Sequence, residues 1–188
     1  AILELLRILV DEEEMQWEKA WDIVRRTFAY TNHTLLPEAL ETWSEGLFAK
    51  VLPRHYDLVL EVNRRFLDQE IEKIAPGDAG RRHRMAIVAD GQIRMAHLSV
   101  VGSHSVNGVA ALHTKLLKER LLREFAELYP DRFNNETNGI TPRRWLIGCN
   151  PELAKLVNST IGSEWITDAS LLRGLEKHAE VASIREDF

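Results

Sequence analysis

Two short segments of this chain carry side chains suited to recognising a sugar or a phosphate. Residues 30–34 and 137–145 both place short polar side chains between apolar flanks. Asn, Thr and His donate and accept hydrogen bonds, as sugar hydroxyls require, and an indole can pack on the apolar face of a sugar. Arg143 and Arg144 are suited to bidentate contact with a phosphate. The alternatives are an Asx turn with a helix cap in the first segment and surface arginines near a helix start in the second.

The histidines and the cysteine are not spaced for metal binding. No two of the seven histidines have the spacing of a helical zinc site, since they stand at His33, His55, His83, His97, His104, His113 and His178. Cys149 is the single cysteine, so the sequence contains neither an internal disulfide nor a Cys-x-x-Cys site. We therefore predict no metal site.

A Gly, Ser and Asn-rich stretch at residues 102–108 precedes a predicted helix. Its backbone amides are able to approach an anion at the helix start. The sequence has no Walker lysine after a glycine loop and no G-x-G-x-x-G, so nucleotide binding is unsupported. From the residues alone, a plain helix entry is the favoured interpretation. The chain also shows no local nucleophile–base pair and no carboxylate pair, and therefore no complete active site.

The composition is that of a globular protein. Of the 188 residues, 45% are hydrophobic and 28% are charged, with a formal net charge of −5. These values exclude a disordered chain, and the mild acidity argues against a dedicated nucleic-acid binder. We find no apolar run of about 18 residues and no basic-then-apolar leader, so we predict neither a transmembrane helix nor a signal peptide. With one cysteine, these features predict a cytoplasmic protein.

The apolar spacing predicts a mainly α fold with a small β-hairpin element. Two amphipathic helices are predicted in the first thirty residues, and a long helix is predicted from Pro53 to just before Pro76. Apolar runs at residues 85–89 and 93–101 flank an Asp-Gly pair and predict the hairpin, the one convincing β element.

Three later positions have the sequence of helix N-caps. Thr141 and Asn150 each precede a proline, which suits the first position of a helix. Asp168 precedes an apolar segment and is predicted to cap a last helix.

Five segments resemble signature stretches of the α-glucan phosphorylases, which act on glycogen, starch and maltodextrin. The longest read Phe-Ala-Tyr-Thr-Asn-His-Thr-Leu-Leu-Pro-Glu-Ala-Leu-Glu (28–41) and Met-Ala-His-Leu-Ser-Val-Val-Gly-Ser-His-Ser-Val-Asn-Gly-Val-Ala-Ala-Leu-His (95–113). The others are Leu-Pro-Arg-His (52–55), Glu-Val-Asn-Arg-Arg-Phe (61–66), and Thr-Asn-Gly-Ile-Thr-Pro-Arg-Arg-Trp (137–145) followed by Cys-Asn-Pro (149–151). The resemblance covers essentially the whole chain, and motifs of this length do not arise by chance.

The resemblance implies part of a two-lobed α/β enzyme of the glycosyltransferase-B type. Such enzymes use inorganic phosphate to release glucose 1-phosphate from the end of an α-1,4-glucan, with retention. Their cofactor is pyridoxal 5'-phosphate, held by a lysine Schiff base, and its phosphate acts in proton transfer with the substrate phosphate. Basic groups that clamp two phosphates, with hydrogen bonds to the sugar, suit a developing oxocarbenium-like centre. The implied partners are α-1,4-glucan, inorganic phosphate, the rest of a phosphorylase chain and a second subunit, with no nucleic acid or membrane.

The resemblance also assigns roles to individual residues. His33 and Asn138 match residues that hydrogen-bond the 6-hydroxyl region of the glucosyl unit, and Val109 matches a residue lining that pocket. Glu38 and Ala39 match the mouth of the catalytic channel. The implied substrate-binding residues are His33, Asn138, Val109, Asn107, Gly108, Glu38 and Ala39. The implied cofactor-binding residues are Trp145, Arg143 and Arg144.

The chain resembles only a middle portion of such an enzyme. The cofactor lysine, the phosphate-binding Lys/Arg set and the catalytic-site glutamate of the family have no counterpart here. We expect residues 1–137 to end an N-terminal lobe and residues 138–188 to begin a C-terminal lobe. Incomplete lobes are expected to expose apolar surface and to self-associate. The leading hypothesis is a part of a phosphorylase that is inactive alone, and the alternative is a stand-alone, non-catalytic glucan-binding or interaction module.

Overall fold

The computed structural model describes residues 1–187. The chain divides into two compact units, Ala1–Asn138 and a second unit that begins at Gly139. Each unit has its own apolar core. The structure is mainly helical with small sheets, as the sequence predicts.

The first unit alternates helices with short strands. Its helices are α1 (Ile2–Arg7), α2 (Trp17–Thr27), α3 (Glu45–Val51), α4 (Pro53–Phe66), α5 (Glu72–Ile74), α6 (Ala79–Met85), α7 (Met95–Val101), α8 (Ala111–Leu116) and α9 (Arg123–Leu128). Its strands are β1 (Ala29–Thr31), β2 (Thr42–Ser44), β3 (Val88–Ala89), β4 (Gln92–Arg94), β5 (Ser105–Gly108) and β6 (Phe133–Asn135). One π-helical turn, Ile8–Glu12, extends α1, and another, Leu67–Ile71, joins α4 to α5.

The predicted long helix is present and supplies much of the first core. Pro53 occupies the first turn of α4, where a proline ring fits because no intrahelical partner is needed there. Val59, Val62 and Phe66 recur at helical spacing and are buried. The helical segment continues to Ile74, so the predicted end before Pro76 is also confirmed.

The predicted hairpin is present, but its second strand is shorter than predicted. Asp90 and Gly91 have φ values of 55° and 71°, which suits a tight turn between β3 and β4. Strand β4 ends at Arg94 and pairs with β2 on its other edge, giving a three-stranded antiparallel sheet in the order β2-β4-β3. The prediction of a strand over residues 93–101 was wrong because Met95–Val101 forms α7. A short, buried apolar run has no polar face, so its periodicity does not distinguish a strand from a helix.

The prediction of a single β element was also wrong, since the first unit contains a second sheet. Within the described residues, β1, β5 and β6 form a parallel sheet with β5 in the centre. Tyr30 is opposite Val106, and Asn107 is opposite Asn134. Residues 102–108, predicted as a helix entry, therefore include a strand with Val106 buried in the core. Three-residue strands separated by helices carry too little periodicity to be recognised.

The core of the second unit forms around Trp165, against which side chains of the π-helical turn Arg144–Gly148, of one α-helix and of a 3-10 segment pack. Its α-helices are α10 (Pro151–Ile161) and α11 (Ala182–Asp187), and the segment Ala169–His178 is 3-10 helical. Asn150 Oδ1 accepts a hydrogen bond from Leu153 N at 3.1 Å, and Asp168 Oδ1 accepts one from Ser170 N at 3.0 Å, which confirms two of the three predicted caps. The Thr141 side chain makes no capping hydrogen bond within the described residues, and the helical turn there, Arg144–Gly148, has Arg143 at its N-cap. Trp165 is 2% exposed and donates from Nε1 to Asn158 Oδ1 at 2.8 Å. Nowhere in residues 1–187 is a helix long and apolar enough to cross a bilayer.

Acid is expected to destabilise the first unit through His97. Its Nδ1 lies 2.9 Å from the Ala86 carbonyl oxygen and its ring packs edge-on against Phe125, with 4.9 Å between ring centroids. Burial lowers the pKa of His97, so the fold favours the neutral ring. As the pH falls below about 6.5, the unfolded chain binds the proton more readily, and the free energy of unfolding falls.

Urea unfolding between about pH 7 and pH 5 measures this effect. His97→Asn keeps a donor for the Ala86 carbonyl but cannot titrate, so its loss of stability in acid should be smaller than that of the wild type. Leu112→Ala shortens an exposed apolar side chain, changes no titratable group and serves as the control, with an unchanged pH dependence. Equal pH dependence in His97→Asn and the wild type would show that the buried ring is not responsible.

Candidate functional site

The three parallel strands end at the same edge of their sheet, and the predicted sugar-binding residues follow these ends. Strand β1 is followed by His33, β5 ends at Gly108 before Val109, and β6 is followed by Asn138. In parallel α/β sheets, ligands bind in the crevice at the carboxyl ends of strands. The sheet therefore brings together positions that lie more than one hundred residues apart along the chain.

Asn107 connects the ends of β1 and β5. Its backbone oxygen accepts from Asn32 N at 2.9 Å, and its Oδ1 accepts from Thr31 Oγ1 at 2.8 Å. Its Nδ2 donates to the Gly108 carbonyl at 2.9 Å, so both ends of the buried amide are hydrogen-bonded. Asn107 lies on β5, and these hydrogen bonds join it to Asn32, Thr31 and Gly108. It fixes the separation of the two strand ends.

Asn32 forms an Asx turn that holds the backbone of His33. The Asn32 side chain is buried, its Oδ1 accepts from Thr34 N at 3.1 Å, and its Nδ2 donates to the Tyr30 hydroxyl at 3.1 Å. His33 is exposed at the apex of this turn. The Asx turn considered from the sequence is thus real, and it leaves the imidazole available for a ligand.

Val109 and Asn138 are joined by their backbones. Glu136 N donates to the Gly108 carbonyl at 3.1 Å, and Asn138 N donates to the Val109 carbonyl at 3.0 Å. These bonds continue the β5–β6 pairing beyond Asn135, the last residue of β6. The Asn138 side chain is exposed, as a ligand contact requires, and Val109 is half-buried beside it.

Glu38 and Ala39 lie in a separate short turn. They belong to the 3-10 turn Pro37–Ala39 and are both exposed. Leu36 N donates to Thr34 Oγ1 at 3.1 Å, so this turn is tied to the Asx turn rather than to the strands. No hydrogen bond among the described residues links the Glu38 side chain to the strand ends.

Helix α8 supports the strand ends with two side chains that the sequence analysis did not assign. His113 Nδ1 accepts from Val109 N at 3.3 Å, and Thr114 Oγ1 donates to Asn135 Oδ1 at 2.9 Å. Asn135 Nδ2 in turn donates to Thr137 Oγ1 at 2.9 Å. His113 is the last residue of the 95–113 stretch, but no sequence pattern indicates either contact, because the partners follow or lie on strands too short to be predicted.

A half-buried arginine fixes the entry to β5. Arg132 donates to the carbonyls of Val100 at 3.3 Å and Ser103 at 3.1 Å, and its guanidinium lies 3.6 Å from the Tyr129 ring centroid. Burial lowers the pKa of Arg132 and raises the pKa of Tyr129, whose hydroxyl donates to Glu70 at 2.5 Å. These contacts hold the chain between α7 and β5.

The second unit contains the predicted cofactor-binding residues. Arg143 donates to the Ile166 carbonyl and, at 3.2 Å, to the Thr167 carbonyl, so its guanidinium is engaged within the unit. No hydrogen bond from the Arg144 side chain occurs within residues 139–187. The Trp145 side chain is 61% exposed. The exposed Trp145 indole and Arg144 guanidinium are available to an aromatic, phosphorylated group, whereas the Arg143 guanidinium already bonds two carbonyls.

The strand ends present side chains that can form hydrogen bonds to a ligand. Exposed imidazole and amide groups stand on hydrogen-bonded strand ends, as recognition of sugar hydroxyls requires. Three or more His, Cys, Asp or Glu side chains do not come together as a possible metal site anywhere in the described part of the chain.

Comparison with known proteins finds one matching family and several close relatives. The family model described as carbohydrate phosphorylase matches residues 1–188. The chain is 50% identical over 191 residues to the glycogen phosphorylase of Synechocystis sp., covering 100% of this chain and 22% of that protein. The muscle form of glycogen phosphorylase from Bos taurus is 50% identical over 190 residues, with the same coverage. The brain form from Homo sapiens is 51% identical over 178 residues, covering 93% of this chain and 21% of that protein. The chain thus spans about a fifth of the length of these curated relatives.

Gly108→Ala is expected to destabilise the first unit. A Cβ at this position would lie 2.4 Å from Thr114 Oγ1, 2.7 Å from His113 Nδ1 and 2.8 Å from Thr114 Cα. Because the last of these is backbone, α8 must move, and a loss of about 1–3 kcal/mol is expected, as for other overpacked sites. Chemical unfolding followed by tryptophan fluorescence measures the change.

Gly46→Ala provides the matched control. Gly46 lies in α3, and a Cβ there would meet nothing within 4 Å. We expect this substitution to stabilise the helix by about 0.5–1 kcal/mol, since alanine is the better helix former. Equal stability of the two variants would contradict the close approach of α8 to β5.

Proposed function

This chain belongs to the carbohydrate phosphorylase family, and we propose that it forms part of an α-1,4-glucan phosphorylase. The whole enzyme uses inorganic phosphate to release glucose 1-phosphate from glycogen, starch or maltodextrin. The observation that carries the proposal is the match of the entire chain to this family and to glycogen phosphorylases at about half identity. The reaction makes it a glycosyltransferase, and it acts in the cytoplasm.

The strand ends of the first unit contribute half of a glucosyl pocket. His33 and Asn138 present an exposed imidazole and amide to the sugar, in the region of its 6-hydroxyl. Val109 packs beside the sugar, while Asn107 and Gly108 fix the backbone between them. Glu38 and Ala39 form part of the mouth of the channel. Held in place before the substrate arrives, these groups orient the terminal glucosyl unit for attack at its anomeric carbon.

The second unit contributes to the site of pyridoxal 5'-phosphate. Trp145 would pack against the cofactor and Arg144 would balance its charge, while Arg143 braces the same segment through the Ile166 and Thr167 carbonyls. When bound, the cofactor supplies a phosphate group that takes part in proton transfer with the substrate phosphate. The lysine that holds the cofactor comes from another part of the enzyme.

Exposed apolar side chains support the proposal that this chain packs against further protein. Ile140, Leu112, Val51, Trp145 and Leu36 are 80%, 67%, 64%, 61% and 58% exposed, respectively. Covering such large apolar side chains is favourable, so they suit contact with another protein surface. The rest of the phosphorylase chain and a second subunit are the proposed partners. The residues 1–137 and 138–188 are then the end of one lobe and the start of the next.

The second candidate function is a stand-alone glucan-binding or interaction module. The hydrogen-bonded strand ends favour it, because their geometry does not depend on residues outside the chain. Calorimetry separates the two candidates: a module binds maltodextrin saturably, and His33→Ala and Asn138→Ala abolish the binding. Absence of binding by the 188-residue chain excludes the module.

The 188-residue chain is expected to release no glucose 1-phosphate from maltodextrin and phosphate, even with added pyridoxal 5'-phosphate. It contributes only part of the site, so the transition state is not stabilised. The protein expressed from the complete reading frame should release the product. A coupled assay for glucose 1-phosphate measures both. Reproducible turnover by the 188-residue chain would contradict the proposal.

Asn138→Ala in the complete protein is expected to lower kcat/KM for maltodextrin at least about tenfold, because a pocket built to bond a hydroxyl suffers when the bond is lost. Asn63→Ala serves as a control distant from the strand ends, since its Oδ1 accepts from Ile87 N and Val88 N instead. Asn63→Ala should lower the free energy of unfolding and leave kcat/KM for maltodextrin close to the wild-type value. Unchanged kinetics in Asn138→Ala would remove this residue from the site.

A further inference from the structure

We propose that His113 and Thr114 are positioning residues that hold Val109 and Asn138 in place for sugar recognition. This role rests on the proposed function of the strand ends as a glucosyl pocket. Both residues lie on α8, which follows β5, and both side chains form hydrogen bonds within the chain. They act by fixing the two loops that follow β5 and β6.

His113 determines the path of the chain after β5. Its Nδ1 accepts from Val109 N at 3.3 Å, so the neutral ring carries its proton on Nε2. Nε2 is buried and has no hydrogen-bond partner within the described residues, which leaves the Val109 amide as the ring's bonded group. The pairing of β5 with β6 ends at Gly108, and the bond from Val109 N to His113 holds the backbone of the next residue in place.

Thr114 determines the path of the chain after β6. The side chain is 7% exposed, and its hydroxyl donates to Asn135 Oδ1 at 2.9 Å. Asn135 Nδ2 donates to Thr137 Oγ1, the residue directly before Asn138. A chain of two side-chain hydrogen bonds therefore runs from α8 to the residue that precedes the predicted sugar ligand.

Gly108 allows α8 to approach closely enough for both contacts. Any larger residue would place its Cβ within 2.8 Å of both His113 and Thr114. Helix α8 therefore packs closely against the ends of β5 and β6. Because Asn138 N also bonds the Val109 carbonyl, a displacement of either loop is transmitted to the other.

A substrate pair with and without the 6-hydroxyl tests this role in the complete protein. Run in the synthetic direction, the reaction transfers glucose from glucose 1-phosphate to maltodextrin, and 6-deoxyglucose 1-phosphate is the matched donor. The ratio of kcat/KM for glucose 1-phosphate to kcat/KM for 6-deoxyglucose 1-phosphate measures how strongly the enzyme recognises the 6-hydroxyl. Partial unfolding lowers both values together and leaves the ratio unchanged, whereas misplacement of Asn138 lowers the ratio.

We expect Thr114→Val to lower this ratio about five- to tenfold, the effect of about one lost hydrogen bond. Thr114→Ser keeps the hydroxyl and should retain the wild-type ratio. Thr27→Val removes a hydroxyl that bonds the Ile23 carbonyl within α2 and is the control, with an unchanged ratio. A wild-type ratio in folded Thr114→Val would overturn the role of Thr114.

A second pair of variants tests His113 and does not depend on Thr114. His113→Asn places an amide oxygen at the position of Nδ1 and should keep the acceptor for Val109 N, whereas His113→Leu removes it. The ratio should fall in His113→Leu and recover in His113→Asn. Equal ratios in both variants and in the wild type would overturn the role of His113. Absence of turnover by the wild-type complete protein would instead overturn the proposed function, and the positioning role with it.

Discussion

The backbone pairing of β5 on both of its edges is the constraint on which the candidate site depends. A strand in the centre of a parallel sheet uses its amide and carbonyl groups in both directions, so its two neighbours cannot shift independently. Tyr30 is thereby placed opposite Val106, and Asn107 opposite Asn134. Everything that follows these strands, including His33, Val109 and Asn138, takes its position from this register.

Hydrogen bonds from polar side chains stabilise the ends of the short strands. Ladders of three or four residues would fray at their ends, yet the ends are where the exposed ligand groups stand. The amide of Asn107 joins two strands, and Thr114 with Asn135 joins the helix to the third. A buried polar network of this kind is stabilising only when its members are satisfied, which also makes its geometry specific. The same interactions that hold the sheet edge therefore define the shape of the proposed glucosyl pocket.

The two units present different kinds of surface. The first unit presents hydrogen-bonding groups, which suit a sugar, and the second presents the exposed side chains of Trp145 and Arg144, which suit an aromatic phosphate. An enzyme that transfers a glucosyl group between an alcohol and a phosphate needs both kinds of surface. Both kinds of surface are consistent with membership of the carbohydrate phosphorylase family.

The sequence by itself determined the helices with a clear apolar face, the Asp90-Gly91 turn and the caps at Asn150 and Asp168. These features are local, because a side chain and its partner lie within one turn of each other. Long motifs also identified the family without any structure. The parallel sheet, the helix at 95–101 and the roles of His113 and Thr114 were decided only by the tertiary structure. Strands of three residues have no readable period, a buried helix has no polar face, and hydrogen bonds between distant segments leave no trace in the spacing of residues.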